Sequence, residues 1–157
     1  MVGHAAPGLD VSEIHEVAVA RLGHLDQRYT ANRKTIVAAL ASSDTPLTIG
    51  ELLDTDGGLS QSSTYRNLAV LEEAGVVHRI VTAADHARFE LTEDVTGTHH
   101  HHLVCTGCGI VLDVTLPDPV EEQLHAALSA AAAAEGFTGA HHRVDLVGTC
   151  RTCTPAP

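Results

Sequence analysis

Apolar positions recur three and four residues apart through the first 75 residues and then every second residue, so a helical half is followed by strands. Ser12 to about Gln27 reads as an amphipathic helix. Thr30 caps a second helix, with Ile36, Val37 and Leu40 on one face. Thr48-Ile49-Gly50-Glu51 is a capping box opening a short third helix through Leu52 and Leu53. After Gly57-Gly58, Ser60 caps a fourth that ends at Gly75. Its residues Thr64, Leu68 and Leu71 share an inward face, Ser62, Ser63 and Arg66 point away, and Tyr65 lies at the edge. Val76 to Val81 and Arg88 to Leu91 alternate like two strands joined by a turn. Helix, turn, helix and β-wing is the winged helix-turn-helix order, in which the later helix enters a DNA major groove.

The second half alternates between short runs of both kinds. His99 to Val104 reads as a strand. Glu121 and Glu122 open a helical stretch to Glu135, with Gly136 as its C-cap. Val144 and Leu146 alternate in a strand leading into Cys150. The expected fold class is therefore α+β.

Composition constrains what these elements do. The chain has 157 residues, enough for one ordinary domain or two small ones, with 44% hydrophobic and 18% charged residues, the make-up of a globular protein. No apolar run approaches the ~18 residues of a membrane span, and residues 1–10 lack the charged and apolar regions of a secretory signal. The expected address is the cytoplasm. The net charge of -11 repels nucleic acid at long range. Residues 1–85 hold 6 Lys+Arg against 11 Asp+Glu, yet Arg21, Arg28, Arg33 and Lys34 outnumber Asp26 between residues 21 and 37 and make a local basic strip. There are 12 histidines, nine of them at or after His78, and imidazole is the commonest metal ligand.

Cys105 and Cys108 form one CxxC, Cys150 and Cys153 another, and there are no other cysteines. Two such turns deliver the four thiolates that a tetrahedral Zn2+ takes. Gly109 follows the first pair, where the turn needs a residue tolerant of positive φ. The 41 residues between the pairs mean that the site closes a loop holding other structure. Disulfides are disfavoured in a reducing compartment, and a redox CxxC does not come in duplicate. A structural zinc supplies on the order of 10 kcal/mol of folding free energy.

On a strand, side chains alternate faces, so His99 and His101 share one side while His100 and His102 share the other. Each pair is the seed of its own metal site. Glu121, Glu122, His141 and His142 are available to complete one of them, and His78 and Glu90 the other. A solvated polar segment is the bland alternative, and four imidazoles without helper ligands bind metal only loosely. There is no HExxH pair and no general base beside an open metal position, which argues against an enzyme.

Tyr29-Thr30-Ala31-Asn32-Arg33, Ser63-Thr64-Tyr65-Arg66-Asn67-Leu68, Leu71-Glu72-Glu73-Ala74-Gly75, His99 through Cys108, and Gly148-Thr149-Cys150 with Cys153 together resemble the ferric uptake regulator family of bacterial metal-dependent repressors. The likeness covers roughly residues 12–153, and its run of four histidines without an intervening aspartate is most like the zinc uptake regulator branch. The resemblance implies a flexible N-terminus (1–11), a winged-helix DNA-binding domain (12–92), a hinge (93–98) and a small α/β dimerisation domain (99–157).

It further implies a structural zinc site at Cys105, Cys108, Cys150 and Cys153. A hinge sensing site would use His78, Glu90, His100 and His102, with Glu93 or Asp94 as alternatives to Glu90. A dimerisation-domain site would use His99, His101, Glu121 and His142. Many relatives carry a hinge histidine where this chain has Thr45-Pro46, and His78 would take its place. Tyr65 and Arg66 would meet DNA beside Ser62 and Ser63, with Arg33 on phosphate. The implied protein is a homodimer on double-stranded palindromic operator DNA, with regulatory Zn2+ as corepressor and Fe2+ or Mn2+ acceptable to the same donors. An iron- or peroxide-responsive repressor is the alternative within the family, and a zinc-buffering protein without DNA binding the alternative outside it.

Overall fold

The structure is a computed structural model that describes residues 8–55, 58–82, 87–139 and 141–154. In the first half, side-chain caps set the helix starts. Asp10 makes a capping box with Glu13 at the start of α1 (Val11–Gly23), and the Thr30 side chain accepts from the Arg33 backbone at the start of α2 (Ala31–Ala41). A two-residue strand, β1 (Leu47–Thr48), leads into α3 (Ile49–Leu53), where Thr48 and Glu51 make the expected capping box. The Ser60 side chain caps α4 (Gln61–Glu73), and Gly75, at φ 68°, takes the left-handed conformation that ends it. β2 (Val77–Val81) and β3 (Ala87–Leu91) pair antiparallel with β3 in the middle of a β1-β3-β2 sheet. The predicted turn between β2 and β3 lies outside the described residues for 83–86.

The buried faces of α1, α2 and α4 meet this sheet in one cluster that includes Ile14, Leu22, Ile36, Val37, Leu68, Leu71, Val76 and Phe89. The inward face predicted for α4 is the observed one, with Thr64, Leu68 and Leu71 buried.

Two segments are tied down more firmly than a flexible terminus and a plain hinge. The predicted hinge contains α5 (Glu93–Thr96), and its Val95 is fully buried in the same core. The Thr92 hydroxyl donates to the Gly75 carbonyl at 2.7 Å, and Arg21 reaches Asp94 at 3.5 Å. The Leu9 amide donates to the Thr96 carbonyl at 2.8 Å. Residues 8–11 therefore belong to the first unit, anchored by this bond and by the Asp10 cap, while residues 1–7 of the predicted flexible N-terminus lie outside the described residues.

The second unit is a sheet of order β5-β4-β6, built from β4 (His101–Cys105), β5 (Val111–Val114) and β6 (Asp145–Gly148). β5 runs antiparallel to β4 and β6 parallel to it. Between β5 and β6 the chain forms α6 (Asp118–Ala134), which starts earlier than Glu121 because Pro119 fits the first turn of a helix. β4 starts at His101, so His99 and His100 lie in the approach to the strand rather than within it. No residue of α6 is buried, and every residue of β6 is exposed. Arg88 of β3 joins the units, donating from Nε to the Gly109 carbonyl at 2.9 Å and from Nη1 to the Pro46 carbonyl at 2.9 Å. Among the described residues no helix is long and apolar enough to cross a membrane.

Candidate metal centres

Among the described residues three groups of four donor residues converge, and in each group all four donor atoms lie within 4.8 Å of one another. The first is Cys105, Cys108, Cys150 and Cys153. Parallel pairing of β4 with β6 places Cys105 opposite Gly148, which brings the two CxxC turns side by side. All four thiols are free. Cys108 Sγ and Cys150 Sγ are 3.8 Å apart, and a tetrahedron with Zn–S bonds of ~2.3 Å has an edge of ~3.8 Å. The donor set thus fits zinc in both chemistry and spacing.

Backbone amides prepare this site for anionic sulfur. Those of Cys150 and Cys108, with Gly107 adding to them, hold the Cys105 thiol down at about 6, and the Cys150 and Gly107 amides lie 3.3 and 3.4 Å from its Sγ. The neighbouring thiols Cys108 and Cys150 push Cys153 up to about 12. Gly109 has φ 68°, as its place after the turn requires. Gly107 was not anticipated. A Cβ there would lie 2.8 Å from Cys153 Cβ, so only glycine lets the two turns approach.

The second group is His99, His101, Glu121 and His142, the set that the family resemblance implies for a dimerisation-domain site. Glu121 in the first turn of α6 collects the three imidazoles. His99 Nε2 is 3.1 Å and His142 Nε2 2.8 Å from its Oε1, and His101 Nε2 is 2.8 Å from its Oε2. Burial raises the Glu121 carboxyl, but hydrogen bonds from His101 and His142 prevail and lower it. His101 is 1% exposed and its Nδ1 has no hydrogen-bond partner. A buried imidazole half satisfied by protein is expected where an ion or water completes the site.

The third group is Glu90, His100, His102 and Asp113. His100 Nε2 and His102 Nε2 each lie 3.1 Å from Glu90 Oε2. Of the three carboxylates considered for this centre, the structure puts Glu90 in it. Asp94 pairs with Arg21, and Glu93 touches histidines only from outside. His78 does reach Glu90, with Nδ1 at 2.9 Å from Oε1, yet the fourth converging donor is Asp113. Sequence reasoning missed Asp113 because it depends on the β4–β5 register, which sets His102 opposite it. Burial raises the Glu90 carboxyl, but the hydrogen bonds from His100, His102 and His78 outweigh it and hold it well below the usual carboxylate range. Burial works to lower His102, yet Glu90 and Asp145 bring it up to about 9. His102 Nδ1 donates to Asp145 Oδ1 at 3.0 Å, an outer carboxylate that fixes the ring and leaves Nε2 directed at the centre.

This third centre spans the molecule. Glu90 comes from the winged-helix sheet, while His102 and Asp113 come from the second sheet. Within the run of four, His99 and His101 meet Glu121 while His100 and His102 meet Glu90, although only His101 and His102 lie on β4 itself. All-nitrogen and oxygen donors suit Zn2+, Fe2+ or Mn2+ alike.

On the face assigned to DNA, Ser62, Tyr65 and Arg66 are exposed on α4, and Tyr65 keeps 55% of its surface. Ser63 is half-buried and its hydroxyl accepts from Asn32 and Asn67. Arg33 is a correction. It is 8% exposed, and its guanidinium donates to Asn67 Oδ1, the Arg28 carbonyl and Gln27 Oε1. It fastens α2 to α4 and is not available to a phosphate. Sequence charge counts it as part of a surface strip, whereas helix geometry turns it inward. Arg28 and Lys34 remain exposed.

A model of the Ferric uptake regulator family matches residues 24–147. The peroxide-responsive repressor PerR of Staphylococcus aureus is 30% identical over 143 residues, covering 88% of this chain and 90% of that protein. Two solved structures share the fold. The Vibrio cholerae ferric uptake regulator superposes with a TM-score of 0.63 at 27% identity, over 84% of this chain and 98% of its own. The Helicobacter pylori ferric uptake regulator gives a TM-score of 0.70 at 21% identity, over 94% and 96%.

Proposed function

The chain belongs to the ferric uptake regulator family, and on that premise we propose that it is a metal-dependent repressor that binds operator DNA as a homodimer. The observation that carries this reading is the third centre, whose donors come from both units. A bound divalent cation supplies the attraction that holds four donors on one point, and its chemistry ends there. Glu90 presents the wing sheet, His100 and His102 present the segment entering β4 and the strand itself, and Asp113 presents β5. With these groups drawn together, the orientation of α4 relative to the second sheet is fixed. A cation shifts the balance between two orientations only by its preference for one of them, and donors shared between the units provide that preference.

The second unit supplies the dimer. No residue of its helix α6 is fully buried, and Leu103, Leu112 and Leu146 are exposed on its sheet. An unpartnered apolar face of this kind fits a second copy better than water. Two α4 helices held one DNA turn or so apart then match a palindromic operator. Ser62, Tyr65 and Arg66 are the groups free to meet it. We assign structural Zn2+ to the four cysteines and Zn2+ as the first candidate at the two histidine centres, with Fe2+ or Mn2+ as alternatives.

Fluorescence anisotropy on DNA from upstream of the chain's own gene, titrated separately with Zn2+, Fe2+ and Mn2+, tests the reading. Tight binding is expected with one of these ions and weak binding with chelator. Equal affinity with and without every ion contradicts it. Tyr65→Ala is expected to weaken operator binding about tenfold more than binding to random DNA, since a base-reading contact is worth ~1–3 kcal/mol. Equal loss on both refutes a base-reading role.

A further inference from the structure

Glu93 stands between the two histidine centres and belongs to neither. Its Oε2 accepts from His99 Nδ1 at 2.8 Å, and its Oε1 accepts from the His100 backbone amide at 3.1 Å. His99 is a donor of the Glu121 centre and His100 a donor of the Glu90 centre. One carboxylate therefore positions adjacent ligands that belong to different centres.

Its mounting gives this position a consequence. Glu93 opens α5, which the Thr92 hydroxyl fastens to Gly75 at the end of α4 and which Val95 seats in the N-terminal core. Neighbouring Asp94 pairs with Arg21 of α1. By contrast, the four donors of the Glu121 centre all lie beyond the hinge helix, on the approach to β4, on β4 itself, on α6 and before β6. Among the described residues, Glu93 is the carboxylate of the first unit that touches this centre. Accepting from Nδ1–H fixes the His99 tautomer, leaving Nε2 as the group directed at Glu121.

We propose that Glu93 is a positioning residue that couples the two histidine centres, so that filling one favours filling the other and the Glu121 centre reports to the winged-helix unit. This rests on the reading that both centres take a divalent cation. The two carboxylate oxygens matter because each holds one ligand residue. Glu93→Gln keeps shape and volume but retains a single oxygen acceptor, which serves His99 or His100 and not both.

Zinc titration calorimetry on full-length protein with its cysteine site loaded tests the coupling as a thermodynamic cycle. The affinity of the Glu121 centre is measured in the otherwise native chain and in His100→Ala/His102→Ala, each with and without the Glu93→Gln substitution. With Glu93 present, removing the hinge donors is expected to weaken the Glu121 centre about tenfold; in the Glu93→Gln background the ratio is expected to fall to about one. Nitrogen-15 spectra of the zinc-loaded protein should show His99 protonated at Nδ1 with a proton held by Glu93, a signal that is lost or shifted in Glu93→Gln. The same ratio in both backgrounds, or a ratio of one in the native chain, overturns the coupling while leaving both centres standing. No zinc uptake beyond the cysteine site in any of the four proteins overturns the metal reading and the coupling together.

Discussion

The two units of this molecule are held by different forces. In the first, buried apolar residues from five helices, two strands and the turn before β2 form a continuous core, and the polar groups around it are closed by caps. In the second, the buried apolar cluster is Ile80, Val104 and Val111, and Ile80 is lent by β2 of the first unit. The 17-residue helix of that unit buries none of its residues. Apolar burial at ~25 cal/mol per Å2 is the main support of the first unit, and the second unit has far less of it. Sensitivity to metal is concentrated where the core is thinnest.

The largest effect expected from this contrast is on removal of the cysteine site. Cys150→Ser, or a strong chelator, is expected to abolish amide-exchange protection in β4, β5 and β6 while α1, α2 and α4 retain theirs. Uniform loss across both units would erase the distinction. Next is Leu71→Ala in the first unit, a fully buried side chain whose truncation costs about 2–5 kcal/mol. Its thermal midpoint should fall with the zinc content per chain unchanged, and a drop in zinc content would show that the units are not separable.

Arg33→Ala follows. It strips hydrogen bonds from part-buried groups and should cost about 1–3 kcal/mol, read as a shift in urea midpoint. The exposed Arg66→Ala should change stability by less than about 0.5 kcal/mol while weakening operator binding. If Arg33→Ala leaves the midpoint unmoved, its inward assignment fails. The smallest is Gly107→Ala, where the added methyl meets Cys153. Competition with a chromophoric chelator should show zinc affinity at the cysteine site reduced about tenfold, with the N-terminal unit unaffected; unchanged affinity would show that the two turns can separate.

What the sequence made legible follows from the range of the rule used. Helix caps at Thr30, Thr48 and Ser60 and the inward face of α4 are local, and they were readable. The paired CxxC turns and the alternation of His99 to His102 are also local, and the alternation matches how the four rings are divided between Glu121 and Glu90 even though β4 starts only at His101. Asp113 needed the register of β5 on β4. Glu93 needed a helix in a segment read as a hinge, and Gly107 needed the approach of the distant turn that carries Cys150 and Cys153. Counting Arg33 in the basic strip misled because charge along a sequence carries no information about which way a helix faces, and Arg33 faces inward.

If the centre at Glu90, His100, His102 and Asp113 makes DNA binding conditional on metal, loss of its two histidines removes that condition. The most direct measurement is operator affinity against free metal concentration for His100→Ala/His102→Ala beside the native chain, with zinc per chain and dimer mass determined on the same samples. The double variant should keep its structural zinc and its dimer but lose the metal dependence, binding weakly at every concentration. Metal-dependent binding equal to that of the native chain would contradict it.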